Sequence, residues 1–464
     1  MKKPILYSLA AAGVLSMFGF LAWTFSLYGT VGLFYSEPAF RFASIGLGAL
    51  GVILLGLALL HIWLSGSRSL RALSLSLLIL AALEIVVPAV GFVYLGGLPP
   101  SNIGDTSPQL MVTDVAGSHG IPNIAIVRYS EKPSADSLSW GKAGSGLTDV
   151  IDEEYASQQH TFMLRDLEPD THYSYQINDT EPRSFATPGI SGQDLHFAIF
   201  SDTHYGAGAS RNDLTAAMLM QIAEPANGFS YLFSLGDLVQ YGFRDSDWKL
   251  AMQGLTPTTS IVPTGFATGN HDTMFGGVAR YRKYCYPDGI DSQSGSQYWH
   301  RVDVGTVHFL MLDLAWSAER YTAPQTSWLE AQLESIPTSD WTIVLSHRFF
   351  YSSGSADVEQ QLYGNPETID AFTPLFEEYG VDIVFSGHNH QLEVLQESGV
   401  TYVVCGAFGG KPDAPTSFLS PASQWYAAGP YAFADVTIKG TVADISFRDP
   451  SGEVLASLII QMNR

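Results

Sequence analysis

The sequence predicts a multidomain chain with three parts: N-terminal transmembrane helices, a small all-β sandwich and a larger α/β domain. Three features lead to this prediction. Long uncharged segments fill the first hundred residues, short apolar runs separated by turn residues follow, and from Leu195 apolar runs alternate with amphipathic stretches. The last rhythm is typical of α/β proteins, in which helices cover a sheet. A chain of 464 residues also has room for two or three domains.

Residues 1–100 contain three apolar segments, each long enough to cross a hydrocarbon core, which is about 30 Å thick. Residues 5–28 and 42–64 contain no charged side chain, and residues 72–96 contain only Glu84. The first segment follows two lysines, as in a signal peptide, but its apolar core is too long and two more segments follow. We therefore predict a membrane anchor of three transmembrane helices over residues 1–100.

The basic residues near these segments predict the orientation of the chain. Lys2 and Lys3 precede the first segment, and Arg68 and Arg71 lie between the second and the third. The positive-inside rule places these residues in the cytoplasm. With an odd number of spans, the chain after Gly97 then lies outside. The sequence thus predicts a multi-pass protein of the cell membrane, with a lipid bilayer as partner and the large C-terminal part extracytoplasmic.

The charge of the rest of the chain argues against nucleic-acid binding. The whole chain has 23 Lys and Arg and 45 Asp and Glu, of which five basic and two acidic residues lie before residue 101. The remainder therefore has 18 basic and 43 acidic residues, a surplus that repels polyanions. Only Cys285 and Cys405 occur, too few for a disulfide framework, and whether they pair is left open.

Residues 106–188 are predicted to form the small β-sandwich, because short apolar runs alternate there with turn residues. The predicted strands are Gln109–Thr113, Asn123–Tyr129, His160–Leu164 and His172–Asn178. The segment from His160 to Tyr175 resembles the fibronectin type III pattern. In that pattern an apolar strand leads through a Leu-x-Pro turn to a Tyr-rich strand.

Residues 194–464 are predicted to form the α/β domain. The predicted strands are Leu195–Ser201, Tyr231–Leu235, Val262–Ala267, His308–Leu312, Thr342–Leu345, Asp382–Phe385, Thr401–Val404, Ala432–Ile438, Val442–Phe447 and Val454–Ile460. The predicted helices are Asn212–Ala223, Gln325–Ser335 and Glu367–Tyr379.

Five of these strands end in residues that can bind a metal ion. In chain order, the strand ends carry Asp202 and His204, Asp237, Asn270 with His271 and Asp272, His347, and His388 with His390. Ligand sites of α/β sheets lie in the crevice at the carboxyl ends of the strands. Imidazole and carboxylate suit zinc, iron and manganese, and one carboxylate can bridge two ions. A metal site is therefore expected at this edge.

The order of these motifs resembles the calcineurin-like metallophosphoesterase superfamily from Leu195 to the C-terminus. The resemblance implies a four-layer α/β sandwich, in which two mixed sheets pack together and are flanked by helices. It also implies two divalent or mixed-valence metal ions, with zinc, manganese and iron all compatible. The implied ligands are Asp202, His204 and His390 for the first ion, Asn270, His347 and His388 for the second, and Asp237 as the bridge.

His271 and Asp272 complete the site that the resemblance implies. His271 would lie near the leaving-group oxygen without binding a metal, and Asp272 would orient it. A metal-bridging hydroxide would attack phosphorus, and His271 would protonate or stabilise the leaving oxygen. The implied function is therefore the metal-dependent hydrolysis of phosphate esters.

Within the superfamily, the sequence is most similar to purple acid phosphatases, which also carry a fibronectin-like domain before the catalytic one. The segment Ser346–Ser352 resembles their His-Arg-Pro-x-Tyr-Ser motif, and Gln325–Leu333 resembles their Gln-x-x-Trp-Leu-Glu helix. Two positions depart from the family. His204 stands in place of a glycine, and Gln240 replaces the tyrosine that binds ferric iron. The first metal therefore need not be ferric.

The sequence leaves alternatives open for substrate and function. Monoesters, diesters, nucleotides and pyrophosphate are all small phosphoesters or anhydrides that a two-metal site accommodates. A non-enzymatic extracytoplasmic receptor or adhesion protein on a degenerate phosphatase fold is the alternative to an enzyme. Glu84 is an ionisable residue within an apolar segment, a feature that often marks function. Two interpretations of the apolar helices therefore stay open: a function of their own, or anchoring alone.

Overall fold

The computed structural model describes residues 8, 11–20, 22, 37–64, 68–92, 99–190, 194–296, 298–315, 322–354 and 364–462. The chain divides into two compact units. Residues 1–99 with 274–276 form the first unit, and residues 100–273 with 277–464 form the second.

The first unit is mainly helical where it is described, with helical residues 11–20, α1 (Glu37–Leu64) and α2 (Arg68–Phe92). Gly51 allows α1 and α2 to approach closely, because a Cβ there would lie 2.9 Å from the carbonyl oxygen of Ala81.

In the described part of the chain, no helix combines the length and the apolar character needed to cross a membrane. The structure therefore does not support the three predicted spans. Half of the first predicted segment, residues 5–28, lies outside the described residues.

In its described residues, the second unit is built from three β-sheets and the helices around them. Its strands are β1 (Gln109–Ala116), β2 (Pro122–Ser134), β3 (Ser137–Lys142), β4 (Asp149–Asp152), β5 (Ser157–Leu164), β6 (His172–Ile177), β7 (Arg183–Ala186), β8 (Leu195–Phe200), β9 (Tyr231–Ser234), β10 (Thr264–Phe266), β11 (His300–Val304), β12 (Val307–Met311), β13 (Trp341–Ser346), β14 (Ile383–Ser386), β15 (Gln391–Glu397), β16 (Val400–Cys405), β17 (Ser423–Ala428), β18 (Phe433–Lys439), β19 (Val442–Arg448) and β20 (Val454–Gln461). Its helices are α3 (Asn212–Ala223), α4 (Asp245–Thr259), α5 (Asn270–Thr273), α6 (Gly277–Cys285), α7 (Ala323–Ser335) and α8 (Pro366–Glu378). The three predicted helices are confirmed as α3, α7 and α8.

Two large mixed sheets form the centre of this unit. The nine-stranded sheet has the order β20-β19-β18-β8-β9-β10-β1-β2-β5, and the seven-stranded sheet has the order β11-β12-β13-β14-β16-β15-β17. The central strands β8, β9 and β10 run parallel, as do β12, β13, β14 and β16. Such strands are covered on both faces, which explains why their sequences are continuously apolar. Their carboxyl ends therefore meet at one edge of each sheet.

The two sheets pack face to face, with helices on the outside. Along β8, Phe197 belongs to the core between the sheets and Phe200 to the core under the helices, because successive strand residues point to opposite faces. The ring of Phe197 lies 5.0 Å from that of Phe309 in the other sheet. The inner core thus joins the two sheets. The outer core of the nine-stranded sheet includes Trp248 of α4, and that of the seven-stranded sheet includes Phe372 of α8. The predicted α/β architecture of two mixed sheets is confirmed.

The β-rich segment before β8 shares a sheet with the rest of the unit. β1 pairs in parallel with β10 through Met111 and Thr264, and β2 and β5 extend the sheet beyond it. Only β3, β4, β6 and β7 form a separate four-stranded sheet among the described residues. The pairing covers the edge of β10, which would otherwise be open. The predicted boundary between residues 188 and 194 and the fibronectin-like character of residues 106–188 remain predictions.

Candidate metal centre

The predicted donors lie together at the carboxyl ends of strands from both large sheets. β8, β9, β10, β13 and β14 each end within a few residues of a donor. All the donors predicted from the sequence lie together there: Asp202, His204, Asp237, Asn270, His347, His388 and His390. We call Asp202, His204 and His390 the first donor set, and Asn270, His347 and His388 the second donor set.

Several donors adopt a backbone conformation that non-glycine residues seldom use. The φ angles are +63° for Asp202, +48° for His204, +52° for Asp237 and +69° for His388. Such conformations persist only where the surroundings enforce them, and they cluster at functional sites. Here the Asp202 N–H donates to the Gly236 oxygen at 3.0 Å, and the His204 N–H donates to the Asp237 oxygen at 3.0 Å. The loops after β8 and β9 therefore hold each other in place.

The first donor set surrounds a small space at the end of β8. Nε2 of His204 lies 3.0 Å from Nε2 of His390. Oδ1 of Asp202 lies 3.3 Å from Nε2 of His390 and 3.6 Å from Nε2 of His204. Oδ2 of Asp237 closes the group at 3.6 Å from Nε2 of His204.

The second donor set lies on the other side of Asp237. Oδ1 of Asn270 is 2.9 Å from Nε2 of His347 and 2.9 Å from Nδ1 of His388. The two ring nitrogens are 3.2 Å apart. Oδ2 of Asp237 lies 3.4 Å from Nε2 of His347. One carboxylate oxygen of Asp237 therefore faces both donor sets.

Hydrogen bonds at Nδ1 orient both histidine rings of the first donor set. Nδ1 of His204 faces Oε1 of Gln240 at 3.0 Å, and Nδ1 of His390 faces the Lys411 oxygen at 2.6 Å. Carbonyl oxygens only accept hydrogen bonds, so each Nδ1 carries a hydrogen, and Nε2 is the nitrogen of each ring that is left for a metal ion. Oδ1 of Asp202 is buried and accepts no hydrogen bond from the described residues. Buried lone pairs and charge of this kind need a cation, and the donors suit zinc, manganese or iron.

Comparison with known proteins agrees with this geometry. The sequence profile of the calcineurin-like phosphoesterase family matches residues 195–392. Residues 195–392 are a calcineurin-like phosphoesterase domain. Purple acid phosphatase 1 of Ipomoea batatas is 28% identical over 307 residues, which are 61% of this chain and 61% of that protein. Probable inactive purple acid phosphatase 1 of Arabidopsis thaliana is 23% identical over 327 residues, which are 60% of this chain and 53% of that protein.

A solved structure supports the fold. The purple acid phosphatase PPD1 from yellow lupin seeds superposes with a TM-score of 0.64 at 18% identity, covering 77% of this chain and 74% of that one. The chain thus spans less than two thirds of both relatives named above, and its likeness to PPD1 is one of fold.

The negative charge in this site changes the pKa values of the buried donors. Burial alone would raise the pKa of Asp237, but the neighbouring His347 and His271 lower it below its usual range. Burial alone would lower the pKa of His390, but its contact with the Asp202 carboxylate raises it to about 9. Without a metal, a proton is therefore retained on His390 between the donors.

His271 lies beside the donor sets of the phosphoesterase domain and is held by a different partner than predicted. Its N–H donates to Oδ1 of Asp237 at 2.8 Å, and its Nδ1 faces the main-chain oxygen of Gln240 at 2.7 Å. The predicted orienting residue, Asp272, instead accepts hydrogen bonds from the N–H groups of Val239 at 3.1 Å and Gly269 at 3.2 Å. Asp272 thus braces the loops rather than the His271 ring, because its carboxylate is turned toward these backbone amides.

A cleft opens over the first donor set of the phosphoesterase domain. This cavity of about 390 Å³ is lined by His204, Gly206, Ala207, Gly208, Ala209, Gln240, Tyr241, His271, His390 and Lys411. The small side chains of residues 206–209 leave space for a substrate beside the donors. Sequence reasoning missed the contacts of Gln240 and the place of Lys411, since no motif marks either. The motif that contains Arg348 was recognised, but not the contact of its guanidinium with Nε2 of His388.

Proposed function

We propose that this chain is a dinuclear metal-dependent phosphoesterase, a hydrolase that acts on phosphoric ester bonds. One observation supports this proposal above the others. Oδ2 of Asp237 lies 3.6 Å from Nε2 of His204 and 3.4 Å from Nε2 of His347, between the two donor sets. A shared carboxylate is the feature that allows two ions to sit about 3.5–4 Å apart.

The side chains of the two donor sets would each hold one ion, with Asp237 common to both. When bound, two divalent ions would lower the pKa of a water molecule that they share and would polarise the phosphoryl oxygens. The chain contributes the negative charge of Asp202 and Asp237, so a bound pair of dications leaves the site positive. A phosphate is then attracted to the cleft although the whole chain has a formal net charge of −22.

His271 is the residue that would serve the leaving group. Its Nδ1 faces the oxygen of Gln240, and the residue lines the cleft beside the donors. There His271 would give a proton to, or hold a hydrogen bond with, the departing oxygen. Lys411 and Tyr241, which line the same cleft, would contact the part of the substrate beyond the phosphate.

The alternative is a binding protein that keeps the fold without turnover. The name of one relative, a probable inactive purple acid phosphatase, raises this possibility for related chains. A complete set of donors favours catalysis, because a binding role does not require a full two-ion site. Three membrane spans and an extracytoplasmic catalytic domain remain predictions from the sequence alone.

The purified chain tests the proposal through metal content and turnover together. We expect about two metal ions per chain and hydrolysis of nitrophenyl phosphate or bis-nitrophenyl phosphate that stops after chelation and returns with Zn²⁺ or Mn²⁺. Two bound ions without hydrolysis of any phosphoester would instead favour the binding protein. A chain that binds no metal would contradict both the site and the proposal.

A further inference from the structure

Gln240 lies between two imidazole rings of the site. Its Oε1 is 3.0 Å from Nδ1 of His204, and its main-chain oxygen is 2.7 Å from Nδ1 of His271. Its own N–H donates to the oxygen of Tyr205 at 2.8 Å, so its backbone is tied to the loop that carries His204. One residue thus contacts a donor of the first set through its side chain and the proposed proton donor through its main chain.

These contacts determine which nitrogen of each ring carries a proton. An amide oxygen accepts but does not donate, so Nδ1 of His204 carries the hydrogen and Nε2 presents a lone pair. This Nε2 atom lies 3.6 Å from Oδ1 of Asp202 and 3.6 Å from Oδ2 of Asp237. The opposite tautomer would place an N–H group among these donors and exclude a cation from the first donor set.

We propose that Gln240 is a positioning residue that fixes the tautomer of His204 through its side chain and that of His271 through its main chain. The inference rests on the proposed metal-dependent function. It adds that the affinity of the first donor set depends on an amide that binds no metal itself. Hydrogen-bond partners of this kind change metal affinity by about 10- to 100-fold.

The two roles of Gln240 can be separated by mutation. The carbonyl oxygen of residue 240 is present whatever side chain stands there, so a change of side chain removes only the contact with His204. Gln240→Leu removes the acceptor at similar size, and Gln240→Glu keeps an acceptor at the same position. Gln221→Leu is a matched control, since Gln221 donates to the oxygens of Asp449 at 3.1 Å and Pro450 at 2.9 Å, away from the site.

Stepwise titration of the metal-free full-length variants with Zn²⁺ tests the side-chain role. We expect Gln240→Leu to weaken one of two binding steps by about 10- to 100-fold and to leave the other step unchanged. Gln240→Glu should restore the weakened step, and Gln221→Leu should leave both as in the unmutated chain. Unchanged steps in Gln240→Leu, or equal weakening of both, would overturn the proposal.

Nitrogen-15 NMR of the histidine rings gives a second readout that needs no metal. In the metal-free chain, His204 and His271 should both carry the proton on Nδ1. Gln240→Leu should let His204 exchange between tautomers and leave His271 as it was. A His204 ring protonated on Nε2 in the unmutated chain would overturn the proposal. If the unmutated chain binds no metal, the proposed function fails, and the His204 spectrum still decides the role of Gln240.

Discussion

The two donor sets differ in their access to the cleft. His347 of the second donor set is 0% exposed, and its Nδ1 faces the main-chain oxygen of Leu235 at 3.0 Å. His390 of the first donor set is 19% exposed and borders the cleft. His204 of the same set depends on the side chain of Gln240. The cleft is lined by His204 and His390 but by no residue of the second donor set. Donors that are locked by packing away from the cleft are better preorganised, so we expect the second ion to bind more tightly.

The largest effect is expected where the two sets meet. Asp237→Ala removes the carboxylate oxygen that faces both sets, and it leaves buried histidines without a counter-charge. We expect the loss of most bound metal and of turnover, with a decrease in metal affinity above the roughly 100-fold typical of outer partners. Elemental analysis and phosphoester hydrolysis measure this. Normal turnover with two bound ions would mean that Asp237 is not shared.

His271→Ala should separate chemistry from metal binding. Both sets keep their donors, so metal content should stay as in the unmutated chain. Turnover should fall by about 10²–10⁴-fold, the range for a general acid or base. The loss should shrink for nitrophenyl esters, whose leaving group is already acidic, relative to alkyl phosphates. An equal loss across leaving groups would contradict a proton-donor role.

A matched pair of donor variants tests the asymmetry itself. His390→Ala and His347→Ala each remove one imidazole, from the first and the second donor set respectively. We expect His390→Ala to retain one ion and His347→Ala to weaken the binding of both, because the tighter site is damaged. A mild chelator should likewise give a one-metal form of the unmutated chain. Simultaneous loss of both ions at every chelator concentration would show that the two sets do not differ.

The smallest effect expected is spectroscopic and concerns the first donor set. Tyrosinate bound to ferric iron absorbs visible light, but Gln240 occupies the tyrosine position and faces His204. The neighbouring Tyr241 ring lies 4.1 Å from the guanidinium carbon of Arg244. We therefore expect a colourless active protein. A visible band that disappears in Tyr241→Phe would show that Tyr241 binds the first ion.

The sequence predicted best what depends on neighbouring residues. The strands β8, β9, β13 and β14 and their polar ends are short, local patterns, so the donors could be identified before their distances were known. The pairing of β1 with β10 joins residues about 150 positions apart, Met111 and Thr264, and no local pattern encodes it. Helix α4 (Asp245–Thr259) was not predicted from the sequence.

The contacts around His271 show the same limit on a smaller scale. Asp272 follows His271 in the chain, and adjacency suggested that it would orient the ring. Instead, Gln240 makes that contact through its main-chain oxygen, an atom that every residue type possesses. Sequence cannot mark such a partner, because the interaction depends only on where the loop after β9 places its backbone.

Anomalous diffraction from crystals of the full-length protein grown with Zn²⁺ or Mn²⁺ tests the central claim most directly. Two sets of donors that share Asp237 should give two anomalous peaks about 3.5–4 Å apart, one among Asp202, His204 and His390 and the other among Asn270, His347 and His388. Oδ2 of Asp237, or both of its carboxylate oxygens, should lie between the peaks. A single peak, or two peaks of which only one contacts Asp237, would contradict a shared dinuclear centre.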